Sequence, residues 1–118
     1  MIMAKTIMVV DDEEDNRITC KAILEKEGYN VVTAVDGDDC LRQLKKVKPA
    51  LILMDIMMPG TPVKEVVAKI KDIKIVYCSV VRTSEAEKEE LLGKNIIGFI
   101  QKPYDIKDIV AKVRQYSK

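Results

Sequence analysis

The stretch LILMDIMMPG, residues 51–60, runs four apolar residues into Asp55, adds three more apolar residues and stops at Pro-Gly. A short apolar run closed by a turn signal reads as a buried strand. An unpaired carboxylate in such a run is costly, so Asp55 must be neutralised, paired or bound to a metal. The rest of the chain is read for the strand's neighbours and for what Asp55 is paired with.

Outward from this strand (Ala50–Asp55), apolar runs alternate with amphipathic stretches. KTIMVV (Lys5–Val10) is a strand with little polar alternation, hence covered on both faces. DNRITCKAILEKEG is a helix with Cys20, Ile23 and Leu24 on one face and Gly28 as its stop. NVVTA (Asn30–Ala34) is a strand, and DGDDCLRQLKKVK (Asp36–Lys48) a helix that opens acidic and closes on lysines. PVKEVVAKIK is a helix with Pro62 near its first turn. KIVYCS (Lys74–Ser79) is a strand, and SEAEKEELLGK a short helix with Ser84 and Glu87 as a capping box. IIGFIQ (Ile96–Gln101) is the fifth strand. DIKDIVAKVRQY is the last helix, capped by Asp105, with Ile106, Ile109, Val110 and Val113 as its apolar stripe.

This alternation calls for an α/β fold: a doubly wound five-stranded parallel sheet with helices on both faces. The flavodoxin-like (βα)5 order, 2-1-3-4-5, places ligands at the carboxyl ends of strands 1 and 3. Both strands end in aspartate. Adjacent strands lie about 4.8 Å apart, so Asp11, Asp12 and Asp55 crowd one crevice. Two carboxylates about 5 Å apart repel by roughly 3 kcal/mol at an effective dielectric near 20. A hard divalent cation, Mg2+ before Ca2+, relieves that repulsion. Ser79 and Lys102, at the ends of strands 4 and 5, join the same crevice. The acidic loop DDEED does not suit free phosphate, but it suits a phosphoryl group delivered to Asp55 itself.

Composition narrows the chemistry. The 118 residues suffice for one domain, expected as a unit over 1–118 with no output domain. There is no histidine, which excludes a Ser-His-Asp or Cys-His nucleophile within the chain. Cys20, Cys40 and Cys78 form no CxxC and read as buried small hydrophobes. Neither a secretion signal nor a run of 18 apolar residues is present, so a cytoplasmic location is expected, with no membrane partner. A net charge of +1 speaks against nucleic acid.

VVDDEEDN, LILMDIMMPG, CSV and FIQKP together, in this order and at these separations, resemble the receiver domain of two-component response regulators, of the single-domain CheY-like kind. The resemblance spans the whole chain. It implies that Asp55 is the phosphoacceptor, that Asp12 binds Mg2+ directly, and that Asp11 acts mainly through water. It further implies that Met57 offers its backbone carbonyl to the metal, that Ser79 is the switch hydroxyl and Phe99 the switch aromatic, and that Lys102 is the family's lysine, joined to Pro103 by a cis bond. The protein is then a signalling protein, catalysing only its own phosphorylation and dephosphorylation. A histidine kinase or histidine phosphotransfer protein is the donor. A downstream protein target binds the face made by the fourth predicted helix, the fifth strand and the last helix, and the chain is a monomer or weak dimer.

Two departures from the family pattern stand out. Pro62 and Val63 occupy the usual Asp-Gly positions after Pro59, which predicts a different turn and a recast helix start. Val80 stands where a small alanine is common. The resemblance implies that the positions two after Asp55 and two after Ser79 flank the attacking water; here they are the apolar Met57 and Val81, which orient no water, so slow self-dephosphorylation is expected. Taken singly, Phe99 and the methionines are explained by packing. The rival readings are a phosphorylation-independent binding module of the same fold and a small Mg2+ phosphatase or phosphotransferase. The latter expects an acid two residues after the nucleophile, where Met57 stands.

Overall fold

The computed structural model describes residues 4–79, 95–102 and 105–118. Its elements run β1 (Thr6–Val10), α1 (Glu14–Lys26), β2 (Asn30–Ala34), α2 (Gly37–Gln43), β3 (Leu51–Asp55), α3 (Val63–Ala68), β4 (Lys74–Ser79), β5 (Ile96–Gln101) and α4 (Ile106–Tyr116). The five strands form one sheet in the order β2-β1-β3-β4-β5, with every pair parallel, as the sequence predicts. The helix expected over 84–93 lies outside the described residues.

Strand alternation builds two cores, one on each sheet face. Ile7, Val9, Leu51, Leu53, Val76 and Cys78 pack with Cys20 and Leu24 of α1 and Ile109 and Val113 of α4. Met8, Val10, Ile52, Met54, Ile75 and Tyr77 pack with Cys40 of α2 and Val66 and Val67 of α3. This double burial explains why β1 and β3 show no polar alternation.

The caps show why the helices stop where they do. After α1, the Gly28 N–H donates to Glu25 O (3.0 Å) and the Tyr29 N–H to Leu24 O (3.1 Å). This paired closure requires the left-handed backbone that Gly28 adopts at φ 95. Asp36 and Asp105 cap α2 and α4 by accepting from the Asp39 and Asp108 N–H groups.

Two helices are shorter than expected. α2 ends at Gln43 rather than Lys48; beyond it the bonds turn irregular, with Lys45 N–H→Arg42 O and both the Lys46 and Val47 N–H groups on Gln43 O. Clustered lysines and Pro49, which disfavours helix at Lys48, account for the early end. α3 covers only Val63–Ala68, with Pro62 as an N-cap that has no side-chain bond to offer. Ile106, placed by its spacing on the buried stripe of the last helix, is instead 63% exposed, because it sits at the first turn, beyond the sheet edge.

Candidate functional site

The period-2 pattern of β1, β3 and β5 brings one charged residue to the end of each strand, on the α1/α4 face. Asp11 continues the row Ile7–Val9, Asp55 continues Leu51–Leu53, and Lys102 follows Ile100. The sheet order sets Asp11 and Asp55 on adjacent strands, and the long Lys102 side chain reaches both from β5, across the end of β4. The Asp11 N–H still bonds Ala34 O (3.1 Å), extending the β1–β2 ladder by one residue. All three are buried, while Asp12 faces solvent.

Asp11 is held on every side. Its Oδ1 accepts from the Glu13 N–H (2.9 Å), and its Oδ2 accepts from Asn16 Nδ2 (3.3 Å) and Lys102 Nζ (2.6 Å). Its carbonyl accepts from Arg17 Nη1 (2.7 Å). Asp55 is held more lightly: Oδ1 accepts from the Met57 N–H (2.9 Å), and Oδ2 faces Lys102 Nζ at 3.4 Å. Burial pushes the Asp55 carboxyl above its ordinary range; the Met57 N–H and Lys102 pull it back, and Asp11 adds to the rise. Burial works against the charged form of Lys102, but the bond to Asp11 and the charges of Asp55 and Asp11 prevail and lift it above the usual ammonium value.

Oxygens of Asp11, Asp12 and Asp55 lie within 4.8 Å of one another. An all-carboxylate set that close, with a solvent-facing member, fits a hard divalent cation that keeps several waters. Lys102 supplies one compensating charge among three acids, so room for a further cation remains.

Known proteins resemble this chain in sequence and in fold. The family model of the response regulator receiver domain matches residues 7–114. The chain belongs to the response regulator receiver family. The alkaline phosphatase synthesis transcriptional regulatory protein PhoP of Bacillus subtilis is 32% identical over 115 residues, which are 95% of this receiver and 48% of that protein. This receiver therefore spans about half the length of that curated relative. The chemotaxis protein CheY4 of Vibrio cholerae superposes with a TM-score of 0.85 at 25% identity, covering 97% of this chain and 99% of that one. A CheY-like receiver domain protein of Methanospirillum hungatei superposes with a TM-score of 0.86 at 24% identity, covering 98% and 94%, and shares the fold.

The receiver brings Asp11, Asp12, Asp55 and Lys102 together as expected. Met57 follows Asp55 by two residues and is 60% exposed, which leaves the backbone as its link to the site. Phe99 lies on the other sheet face, partly buried against the α2/α3 core, its ring 5.5 Å from that of Tyr77. The Ser79 backbone ends β4 opposite Gln101. The Ser79 side chain, Val80, Val81 and Pro103 lie outside the described residues, and with them the cis bond. Asn16 and Arg17 escaped the sequence reading. Their signal is spacing: they follow Asp11 by five and six residues and fall in the first turns of the helix that Asp11 precedes.

The recast loop after Pro59 has a specific anchor. Gly60 turns at φ 92, and the Thr61 hydroxyl donates to the Asp38 carboxylate at the start of α2 (2.9 and 3.1 Å). All three cysteines are buried and none forms a disulfide, as expected, and burial raises Cys40 to about 12. Among the described residues, no helix is long and apolar enough to cross a membrane.

Proposed function

We propose that this receiver is a stand-alone phosphorylation switch in the cytoplasm whose acceptor is Asp55. A phosphohistidine on a separate histidine kinase or phosphotransfer protein is the donor. The Asp55 oxygen attacks phosphorus, the P–N bond breaks, and the imidazole nitrogen leaves with the electron pair. The observation that carries this reading is the convergence of Asp11, Asp12, Asp55 and Lys102 at one edge of the sheet.

Asp11, Asp12, Asp55 and the Met57 carbonyl would hold Mg2+, which when bound neutralises charge on the transferring oxygens. Lys102 shifts from Asp11 towards the phosphoryl oxygens, a short move given that it already faces both carboxylates. Asn16 and the Glu13 N–H keep Asp11 oriented when the ammonium group moves. Ser79 then closes on the phosphoryl group and Phe99 follows, which changes the face around β5 and α4 that a downstream protein reads. The open groove of about 500 Å³ between α1 and α4, lined by Thr19, Ile23, Asp105, Ile106 and Lys107, supports donor docking beside the site.

The test is incubation of the purified protein with Mg2+ and acetyl phosphate, read by intact mass. A gain of one phosphoryl group, lost in Asp55→Asn and with EDTA, is expected. No gain from acetyl phosphate or from a phosphorylated histidine kinase overturns the reading. The intact mass of the native protein, recovered from its source by antibody, tests the stand-alone part.

A further inference from the structure

The polarity of the sheet sorts charge as well as site residues. Acidic residues open the helices: Glu14 and Asp15 in α1, Asp38 and Asp39 in α2, Asp108 in α4. At the opposite edge, where helices end and strands begin, lysines follow α2 (Lys45, Lys46, Lys48) and α3 (Lys69, Lys71). The net charge of +1 is thus a sum over two unlike poles, and the basic pole faces away from Asp55.

Between the ends of α2 and α3 lies an open groove of about 280 Å³. Leu44, Ile70 and Ile73 give it apolar walls, and Lys45, Lys69 and Lys71 line it with exposed ammonium groups. None of the three lysines pairs with a carboxylate among the described residues. Compensation of helix dipoles accounts for a lysine at a helix end. It does not account for three lysines gathered around an apolar groove, with Asp72, the acid that follows Lys71, in no ion pair with them.

We propose that this groove docks an acidic, amphipathic segment of a partner protein, which sets carboxylates on the three lysines and an apolar side chain against Leu44 and Ile70. Complementary charge orients and accelerates such an encounter, and the apolar walls give the anchor that charge alone lacks. A nucleic acid or an anionic membrane would engage the lysines but leave a concave apolar groove unfilled. The five residues of β3 separate this edge from Asp55 by about 13 Å. Docking there is independent of the state of the acceptor, and the site holds the receiver to a partner while the other edge is switched.

The test is an NMR titration of the full-length, isotope-labelled protein at low salt. The probe is a synthetic peptide with Glu and Leu at amphipathic helical spacing; the same peptide with Lys for Glu is the control. Saturable shifts at the Leu44, Ile70 and Ile73 amides are expected with the acidic peptide alone. The triple variant Lys45→Glu, Lys69→Glu, Lys71→Glu should bind about tenfold more weakly or worse, with the Asp11, Asp55 and Lys102 amides unmoved as the check on folding. Leu44→Ser, which keeps every charge, should also weaken binding. The proposal is overturned by absence of shifts at these amides, by equal binding of the triple variant or of the basic peptide, or by tighter binding of phosphatidylglycerol vesicles or duplex DNA at the same residues.

Discussion

Lys102 Nζ lies 2.6 Å from Asp11 Oδ2 but 3.4 Å from Asp55 Oδ2, so the ammonium group is held by the neighbouring acid rather than by the proposed acceptor. Lys102 and Asp11 are both buried, so removing the cation leaves buried carboxylates uncompensated. Lys102→Gln should cost about 3–5 kcal/mol in Mg2+-free buffer. It should also tighten Mg2+ binding, since one positive charge leaves an acidic pocket, and Mg2+ should restore part of the loss. Thermal melts and calorimetric titration check both. The folded-state pKa of Lys102 is raised, so its stabilisation is complete below the unfolded lysine value, about pH 10, and is lost as pH rises through the folded value.

Asp55 contributes with the opposite sign. Burial and Asp11 raise its carboxyl above the unfolded value, so the ionised form is disfavoured in the folded protein. The cost is absent below the unfolded aspartate value, about pH 4, grows as pH rises through the folded value, and is full above it. Asp55→Asn keeps an acceptor for the Met57 N–H and removes the charge. At neutral pH without Mg2+ it should gain about 1 kcal/mol, a rise of about 4 °C in melting temperature. The gain should shrink towards pH 4. Melts of both proteins across pH 4–8 test the sign; a variant less stable at neutral pH contradicts it.

The contact between α2 and α3 rests on a missing side chain. A Cβ at Gly37 would come within 2.4 Å of Val66 Cγ2, and Val66 is fully buried. Gly37→Ala should therefore destabilise by about 2 kcal/mol despite alanine's better helix propensity. In the double variant Gly37→Ala, Val66→Ala the two losses should add to less than their sum, because the second change vacates the space the first requires. Denaturant melts of the four proteins complete the cycle.

Those residues whose role follows from local chemistry were legible in the sequence. Asp55 announced itself as a charge inside an apolar run, Gly28 as a left-handed stop, and Asp105 as a cap three residues before the Asp108 N–H it accepts. Their place at the ends of parallel strands put Asp11, Asp55 and Lys102 at one sheet edge. Contacts settled across space were not legible. The end of α2 depends on how its bonds turn irregular ahead of Pro49, and the exposure of Ile106 on where α4 begins relative to the sheet. The grip of Asn16 and Arg17 on Asp11 requires the angle at which α1 leaves the strand, and the Thr61–Asp38 bond joins residues 23 apart. The lysine-lined groove was hidden by a net charge near zero.

On the proposed function, the phosphoryl group on Asp55 is lost to water, and its lifetime is set by what orients that water. Met57 stands two residues after Asp55 and is 60% exposed beside the acidic cluster. A thioether offers only a weak acceptor and no donor, so it positions no water for in-line attack. The purified phosphoprotein should lose its label slowly. Met57→Asn places a donor and an acceptor at the same exposed position, at little structural cost because the methionine side chain leaves little packing to lose. It should speed dephosphorylation by about tenfold, equivalent to about 1.4 kcal/mol of barrier. Phosphoprotein decay followed by intact mass, in Mg2+ and without a phosphatase, decides the point. Rapid decay of the parent protein, unchanged by Met57→Asn, would show that the water is held by groups other than this side chain.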